Sequence, residues 1–322
     1  MEIFINNAIL HIVENNRELA VFSENELDID SDMVTEFLTK HIKKLNNNPS
    51  VKEATFNKES QIYKSINQFK TKEINFKEFA KNICKPLADI MINYKEIPPA
   101  AIIVAQIDIK NNQFLAILKL NHRSYYTHST EGGQNHIVKS LQGLPFDSGK
   151  VEEAVLIPLE NMLLKLIEKP YILDGKETNY FSEVFLQASA EMSKKEVIAI
   201  INEAIENIAA QSTDMLLGAK IQLALIEDAL ENEGAVRLES VANIALSQDE
   251  NLKEHFINFV RENGLTKDLF LGEKYCMRQF GNYKLKGAGG IELKFPVGVV
   301  DDTNVIAANL DDGRLTVGLY NV

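Results

Sequence analysis

Three histidines, His122, His128 and His136, fall close together in the chain. Imidazoles at short spacing can share a metal ion, but a metal site also needs partners at ligand spacing. No cysteine or carboxylate stands at such a spacing here, so isolated or hydrogen-bonded histidines are the ordinary reading. Asp28, Asp30 and Asp32 start like a calcium loop. That loop needs Gly at its sixth position and Glu at its twelfth, and Met33 and Thr39 stand there. A short acidic run before an apolar helix pattern reads instead as a helix start. No GxSxG, GxxxxGK[ST] or GxGxxG occurs, which removes the familiar nucleophile elbow and phosphate loops. The run Lys286-Gly287-Ala288-Gly289-Gly290 has no helix pattern after it, so it predicts a hairpin turn, not an anion cradle. Nothing singles out a general acid and base. No catalytic, cofactor-binding or metal-binding residue is assigned.

One stretch does carry a chemistry. Residues 274–294, KYCMRQFGNYKLKGAGGIELK, hold Lys274, Arg278, Lys284, Lys286 and Lys294 against a single acid, Glu292, with Tyr275, Phe280 and Tyr283 interleaved. Cations neutralise phosphates, and aromatic faces stack on exposed bases. Read as alternating strands, the stretch puts its bases on one face. These eight basic and aromatic residues are the candidate nucleic-acid contact. The alternative is a solvated hairpin with lysines out and tyrosine in.

The elements that must position this patch follow from pattern. Ile3 to Leu10 and Leu19 to Phe22 predict a hairpin, and Val34, Phe37, Leu38, His41, Ile42 and Leu45 predict a helix entered at Ser31 or Asp32. Phe76 to Tyr94 predicts a second helix that Pro86 should kink or divide. AAIIVAQIDI and FLAILKL, joined by Lys110-Asn111-Asn112-Gln113, read as a hairpin, and the Gly132-Gly133 pair marks another. VEEAVLIPL is a strand, and 177–187 a short helix. Residues 193–263 are helical by periodicity, and KYCMRQF, IELKFPV, NVIAANL and RLTVGLYNV read as strands. The fold class is α+β: a mixed sheet-and-helix domain over 1–190, a helical segment over 191–264 and a small β-rich unit over 265–322.

Charge is uneven. The chain of 322 residues has a formal net charge of −12, which opposes diffuse attraction to a polyanion. Residues 1–40 carry a net −7 and 193–263 another −7, whereas 41–96 carry +5 and 97–150 carry +2. The lysines of 41–96 are spaced widely over helical sequence, as on a solvated face. Cys84 and Cys276 are too few for a cysteine metal site and fit reduced thiols. No apolar run approaches the roughly 20 residues of a membrane helix, and the N-terminal run lacks a signal-peptide pattern. The expected location is the cytoplasm.

Several stretches together resemble the bacterial nucleoid-associated proteins of the NdpA (YejK) type. They are the Ser23–Asp28 acidic turn, EFLTKHI, FAKNICKPLADIM, IPPAAIIVAQIDIKNNQFLAILKLNH, GLPFDSGKVEEAVLIP, YILDGKETNYFSEVFL, GIELKFP and RLTVGLYNV. The run from Ile97 to Leu120 is the most specific. The resemblance implies association with the nucleoid and contact with DNA or DNA-handling proteins, and it supplies no catalytic residues.

Three readings follow. The first is a non-enzymatic nucleoid-associated protein touching DNA locally and weakly through the 274–294 patch. The second is a protein-interaction module brought to the nucleoid through the acidic helical block, without direct DNA contact. The third is an enzyme acting on nucleic acid or nucleotide. A homo-oligomer is a further expectation, since strand-rich ends can pair across a two-fold axis.

Overall fold

The computed structural model describes residues 2–146, 149–286, 292–300, 306–311 and 314–319. The chain is α+β and divides into two compact units, Met1–Ser193 and Lys194–Val322.

Unit 1 opens with β1 (Ile3–Glu14) and β2 (Leu19–Val21), then α1 (Asp32–Asn47). Asp28 accepts a hydrogen bond from the Asp30 amide at 3.2 Å. This Asx turn leads into the α1 cap at Ser31 and accounts for the acidic run. Strand β3 (Lys52–Phe56), α2 (Gln61–Lys70) and α3 (Phe76–Asn93) follow. Pro86 does not divide α3. Proline costs a helix interior about 3 kcal/mol, and the face it shares buries Phe79, Ile83, Leu87 and Met91 completely. At roughly 1.5–3 kcal/mol for each such side chain, packing outweighs the penalty.

Strands β4 (Ala100–Ile109) and β5 (Asn112–Asn121) form the predicted hairpin. Its turn is tighter than the four residues expected: Ile109 pairs with Asn112, leaving Lys110 and Asn111 at φ 49° and 66°. Two positive φ values match the right-handed twist of the strands they join. The second hairpin, β6 (Arg123–Glu131) and β7 (Gln134–Gly143), turns at Gly132 and Gly133 as predicted. Then come β8 (Glu153–Pro158), β9 (Leu163–Ile167), β10 (Tyr171–Leu173) and β11 (Lys176–Thr178). The short helix expected at 177–187 is a π-helical turn at Phe181–Leu186, followed by β12 (Ala188–Ala190).

Eight of these strands make one antiparallel sheet in the order β12-β3-β9-β8-β5-β4-β1-β2. Both its faces are covered. Ile102, Val104 and Ile117 join a core with α2 and α3. Their neighbours Ile103, Ala105 and Leu118 join a core with Leu38 and Ile42 of α1. Burial on both faces explains why β4 is apolar nearly throughout instead of alternating.

Unit 2 contains α4 (Lys194–Gln211), α5 (Leu217–Glu231), β13 (Ala235–Val236), α6 (Leu238–Ala245), α7 (Glu250–Glu262), β14 (Leu269–Phe270) and α8 (Glu273–Phe280). The hairpin β15 (Asn282–Lys286) and β16 (Glu292–Pro296) follows, then β17 (Ile306–Asp311) paired with β18 (Arg314–Leu319). One core joins Ile201 of α4, Leu225 of α5, Phe256 of α7, Cys276 and Phe280 of α8, and Phe295 of β16. The KYCMRQF run, expected as a strand, is the helix α8. Cys276 and Phe280 are four apart and both fully buried, so the run has a helical face and no alternation of period two. No helix among the described residues is long and apolar enough to cross a membrane.

Candidate nucleic-acid interface

The three histidines do not converge. His122 sits with Nδ1 3.0 Å from Glu14 Oε1, its side chain almost buried. Burial lowers its pKa, and Glu14 opposes that shift. His128 pairs across the ribbon with Ile137, and His136 with Ser129. Successive cross-strand pairs face opposite sides, so these two histidines point apart. Among the described residues no cluster of three or more His, Cys, Asp or Glu side chains could hold a metal ion. Both cysteines are buried free thiols, and burial raises the pKa of each, that of Cys276 to about 11.

All eight residues of the basic and aromatic patch belong to unit 2. Lys274, Tyr275, Arg278 and Phe280 ride on α8. Tyr283, Lys284 and Lys286 lie on β15, and Lys294 on β16. The cations therefore sit on a helix and a hairpin, not on alternating strands. Lys284 and Lys294 are cross-strand partners on the outer face, while Tyr283 and Phe295 pair on the inner one. That is the lysine-out, tyrosine-in arrangement of a solvated hairpin. The Gly287–Gly290 turn lies outside the described residues.

The aromatic rings are already engaged. Phe280 is fully buried and offers no face to a base. The half-buried Tyr275 has the Arg278 guanidinium 5.1 Å and the Lys194 ammonium 5.8 Å from its ring centroid, both within cation–π range. Tyr283 packs edge-on against Phe295 with centroids 5.9 Å apart. Burial raises the pKa of both tyrosines, and for Tyr283 the nearby Glu206 and Asp214 add to the shift.

Three of the five cations share a feature, and Lys274 and Lys286 are not among them. A groove of about 880 Å³ is lined by Arg278, Tyr283, Lys284 and Lys294 together with Glu206 and Glu292. Lys284 Nζ lies 3.4 Å from a Glu292 oxygen, with both side chains half exposed. An ion pair so exposed holds its partners by about 0–1 kcal/mol, so a phosphate can compete for the lysine. Lys274, one helical turn before Arg278, is exposed. Two groove residues had no local signal in the sequence. Glu206 comes from α4, and Gln222 from α5 has a buried Oε1 without a hydrogen-bond partner. Both are more than fifty residues upstream of the patch, and only the packing of α4 and α5 beneath the hairpin brings them there.

Comparison with curated proteins finds no match. A family model described as nucleoid-associated protein YejK matches residues 9–317. That span takes in the large sheet of unit 1, the helices of unit 2 and the groove with its cations, and by it the chain belongs to the YejK family of nucleoid-associated proteins.

Proposed function

We propose that this chain is a non-enzymatic protein of the cytoplasm that joins the nucleoid by touching DNA phosphates at the groove of unit 2. The observation that carries the reading is the shared position of Arg278, Lys284 and Lys294 on that groove. The engaged tyrosines shift the expected chemistry from base stacking to backbone contact, which is independent of sequence. Lys274, one helical turn before Arg278 on α8, extends the same zone, and Tyr275, Phe280 and Tyr283 support it from within. With Glu206 and Glu292 on the rim, the attraction is local and weak.

Fluorescence anisotropy with duplex and single-stranded DNA across a salt series tests this. Three neutralised phosphates give a slope of log affinity against log salt of about −2.7 on duplex, or about a 40-fold loss between 50 and 200 mM salt. Replacing Lys284 and Lys294 by glutamine should flatten the slope to about −0.9. Lys253→Gln on α7, outside the groove, should leave it unchanged. Absence of binding at 50 mM salt, or a slope that ignores the groove substitutions, would remove direct contact.

A second reading has its own observation. Bases of 193–263 are paired within the block, as Lys220–Asp214, Arg237–Asp228, Lys253–Glu250 and Arg261–Glu239. Glu203, Glu227, Glu231, Glu233, Glu254 and Glu262 remain exposed. Such a surface suits a basic face on a DNA-handling protein. Nucleoid retention that survives the groove substitutions but is lost when these six glutamates become glutamine would favour this docking over direct contact.

A further inference from the structure

The face of the large sheet that α2 and α3 cover changes character at one end. Ile102 and Val104 of β4 and Leu115 and Ile117 of β5 are fully buried beneath the helices. Side chains alternate along a strand, so Gln106 and Gln113 stand on that same face, two residues nearer the hairpin turn. The pattern calls for apolar residues there, and carboxamides occur instead. Such departures concentrate where a surface has a function. A groove of about 840 Å³ opens at these positions, a size within the roughly 300–1,000 Å³ of small-ligand sites. Three kinds of group line it. Gln106, Asn111, Asn112 and Gln113 supply carboxamides, and among the described residues none of these four side chains has a hydrogen-bond partner. Phe69, near the end of α2, supplies an aromatic ring. Phe79 stacks on it with centroids 4.8 Å apart and planes 21° apart. The Phe69 ring is only half-buried, so its uncovered side is open to the groove. Lys70 and Lys72 supply charge against Glu160. Lys70 Nζ donates to the Leu159 carbonyl at 2.6 Å, which leaves two of its three donors. Lys72 has no ion-pair partner among the described residues. It sits at φ 60°, a conformation that glycine adopts with less strain.

We infer that this groove binds one nucleotide whose base is unpaired, either within a single strand or free. The base rests against Phe69, the carboxamides read its edge, and Lys70 and Lys72 hold its phosphate. Each part matches a chemistry. The Watson–Crick edge of a nucleobase sets a donor beside an acceptor, as a carboxamide does. An aromatic ring accepts the face of any base. Two ammonium groups against the one carboxylate of Glu160 leave an excess of a single positive charge, which suits one phosphate diester. A neutral sugar would leave the lysines unused. A duplex hides its base faces and edges in its own stack and pairs. The ligand therefore differs from that of the phosphate groove in unit 2, and the inference does not rest on that groove.

The full chain carrying Lys284→Gln and Lys294→Gln lacks the unit 2 contact, so in that background a short labelled oligodeoxyadenylate strand reads this groove by fluorescence anisotropy at about 50 mM salt. The strand should bind more tightly than a duplex of the same length. Gln106→Leu with Gln113→Leu should lower its affinity about 10-fold or more by removing two hydrogen bonds. Both side chains reach solvent, so the melting temperature should hold. Lys72→Gly is the second variant. It should lower strand affinity about 8-fold at that salt, the share of one phosphate contact on a single strand. Its melting temperature should stay at or above that of the parent, because glycine relieves the positive φ, so a loss of binding there is not a loss of fold. Titration calorimetry with adenosine monophosphate identifies the source of the ligand. Mononucleotide binding that these variants weaken assigns a free nucleotide, and strand binding without it assigns a single-stranded segment. Either result upholds the inference. It is overturned if neither ligand binds, if binding is indifferent to the carboxamide pair and to Lys72, or if inorganic phosphate displaces the labelled strand as effectively as unlabelled strand does. A loss of duplex binding equal to the loss of strand binding also overturns it. Duplex affinity through an intact unit 2 groove should not change in these variants, so either reading can fail while the other stands.

Discussion

Removing one charge from the middle of the large sheet should be among the most damaging single changes in this protein. Lys119 on β5 and Glu153 on β8 are direct cross-strand partners, and both side chains are fully buried. The Lys119 ammonium donates to Glu153 and, at 2.6 Å, to Asn121 Oδ1. The Tyr180 hydroxyl donates to the second Glu153 oxygen. Burial lowers the Lys119 pKa, and Glu153 opposes that shift. Lys119→Met keeps the bulk and leaves a buried carboxylate without its counter-ion, which costs about 3–5 kcal/mol. An upper bound follows from chemistry. An unpaired buried carboxylate can escape by taking a proton, and from an ordinary glutamate value near 4.3 that costs about 3.6 kcal/mol at pH 7 and only about 1 kcal/mol at pH 5. For a unit of this size, 3–4 kcal/mol lowers the melting temperature by about 6–16 °C. The sign with pH is therefore definite: the variant's deficit should grow from pH 5 to pH 7, because its folded state holds a proton that the unfolded chain releases. Thermal melts followed by circular dichroism at both pH values read this directly. The triple variant Lys119→Met, Glu153→Leu, Tyr180→Phe removes every charge and the hydroxyl together, and should recover most of the loss. A loss under about 2 °C, a deficit equal at both pH values, or a triple variant no better than the single one would refute the reasoning.

Two further changes test other parts of the molecule. His11 is buried with Nδ1 accepting from the Ser23 amide at 3.0 Å, and burial, aided by Lys81, lowers its pKa to about 4. The unfolded chain then takes up a proton below pH 6.5 that the folded one refuses, so stability present above pH 6.5 should fall by about 3 kcal/mol on the way to pH 4; His11→Asn, which keeps an acceptor, should lose that much less over the same range in urea titrations. Gly218 lies inside α5, where alanine is normally favoured by about 1 kcal/mol, but a Cβ there would stand 2.5 Å from the Tyr283 hydroxyl and under 3 Å from its ring. Gly218→Ala should therefore destabilise unit 2 by about 1–3 kcal/mol, and a rise in its melting temperature would show that Tyr283 yields freely.

Local patterns carried the fold well where one interaction decides the conformation. The Gly132-Gly133 turn and the long apolar strands around Lys110-Asn111 were legible because turn chemistry and burial agree there. Where two elements compete, the outcome depended on packing. KYCMRQF contains enough aromatic and β-compatible residues to pass for a strand, yet the burial of Cys276 and Phe280 against α5 and α7 makes it a helix. Pro86 lies within a helix because four large side chains on the adjoining face are fully buried. The groove was half legible. Its cations cluster within twenty residues of sequence, but Glu206 and Gln222 reach it only through the third dimension. Lys119 had a trace in sequence, as one lysine inside the apolar AILKL strand, and its partner is placed opposite it only by the β5–β8 register.

The overall acidity takes on a definite meaning once the charges have positions. At 0.1 M salt a charge is felt over about 10 Å, and at 0.01 M over about 30 Å. At moderate salt a phosphate in the groove is governed by what lines it: Arg278, Lys284 and Lys294 against Glu206 and Glu292, a small excess of positive charge. As salt is removed, the attraction of those three cations strengthens, but the exposed glutamates of α4, α5 and α7 come into range as well, and the helical block they belong to carries a net −7. Two opposing fields with different reach cannot give one straight line. The salt series should be linear near a slope of −2.7 only above about 0.05 M and should flatten below it. Neutralising Glu227, Glu231 and Glu233, which lie outside the groove, should restore linearity at low salt while leaving the high-salt limb in place. A low-salt limb unchanged by those substitutions would mean that the groove, and not the acidic block, limits binding under all conditions.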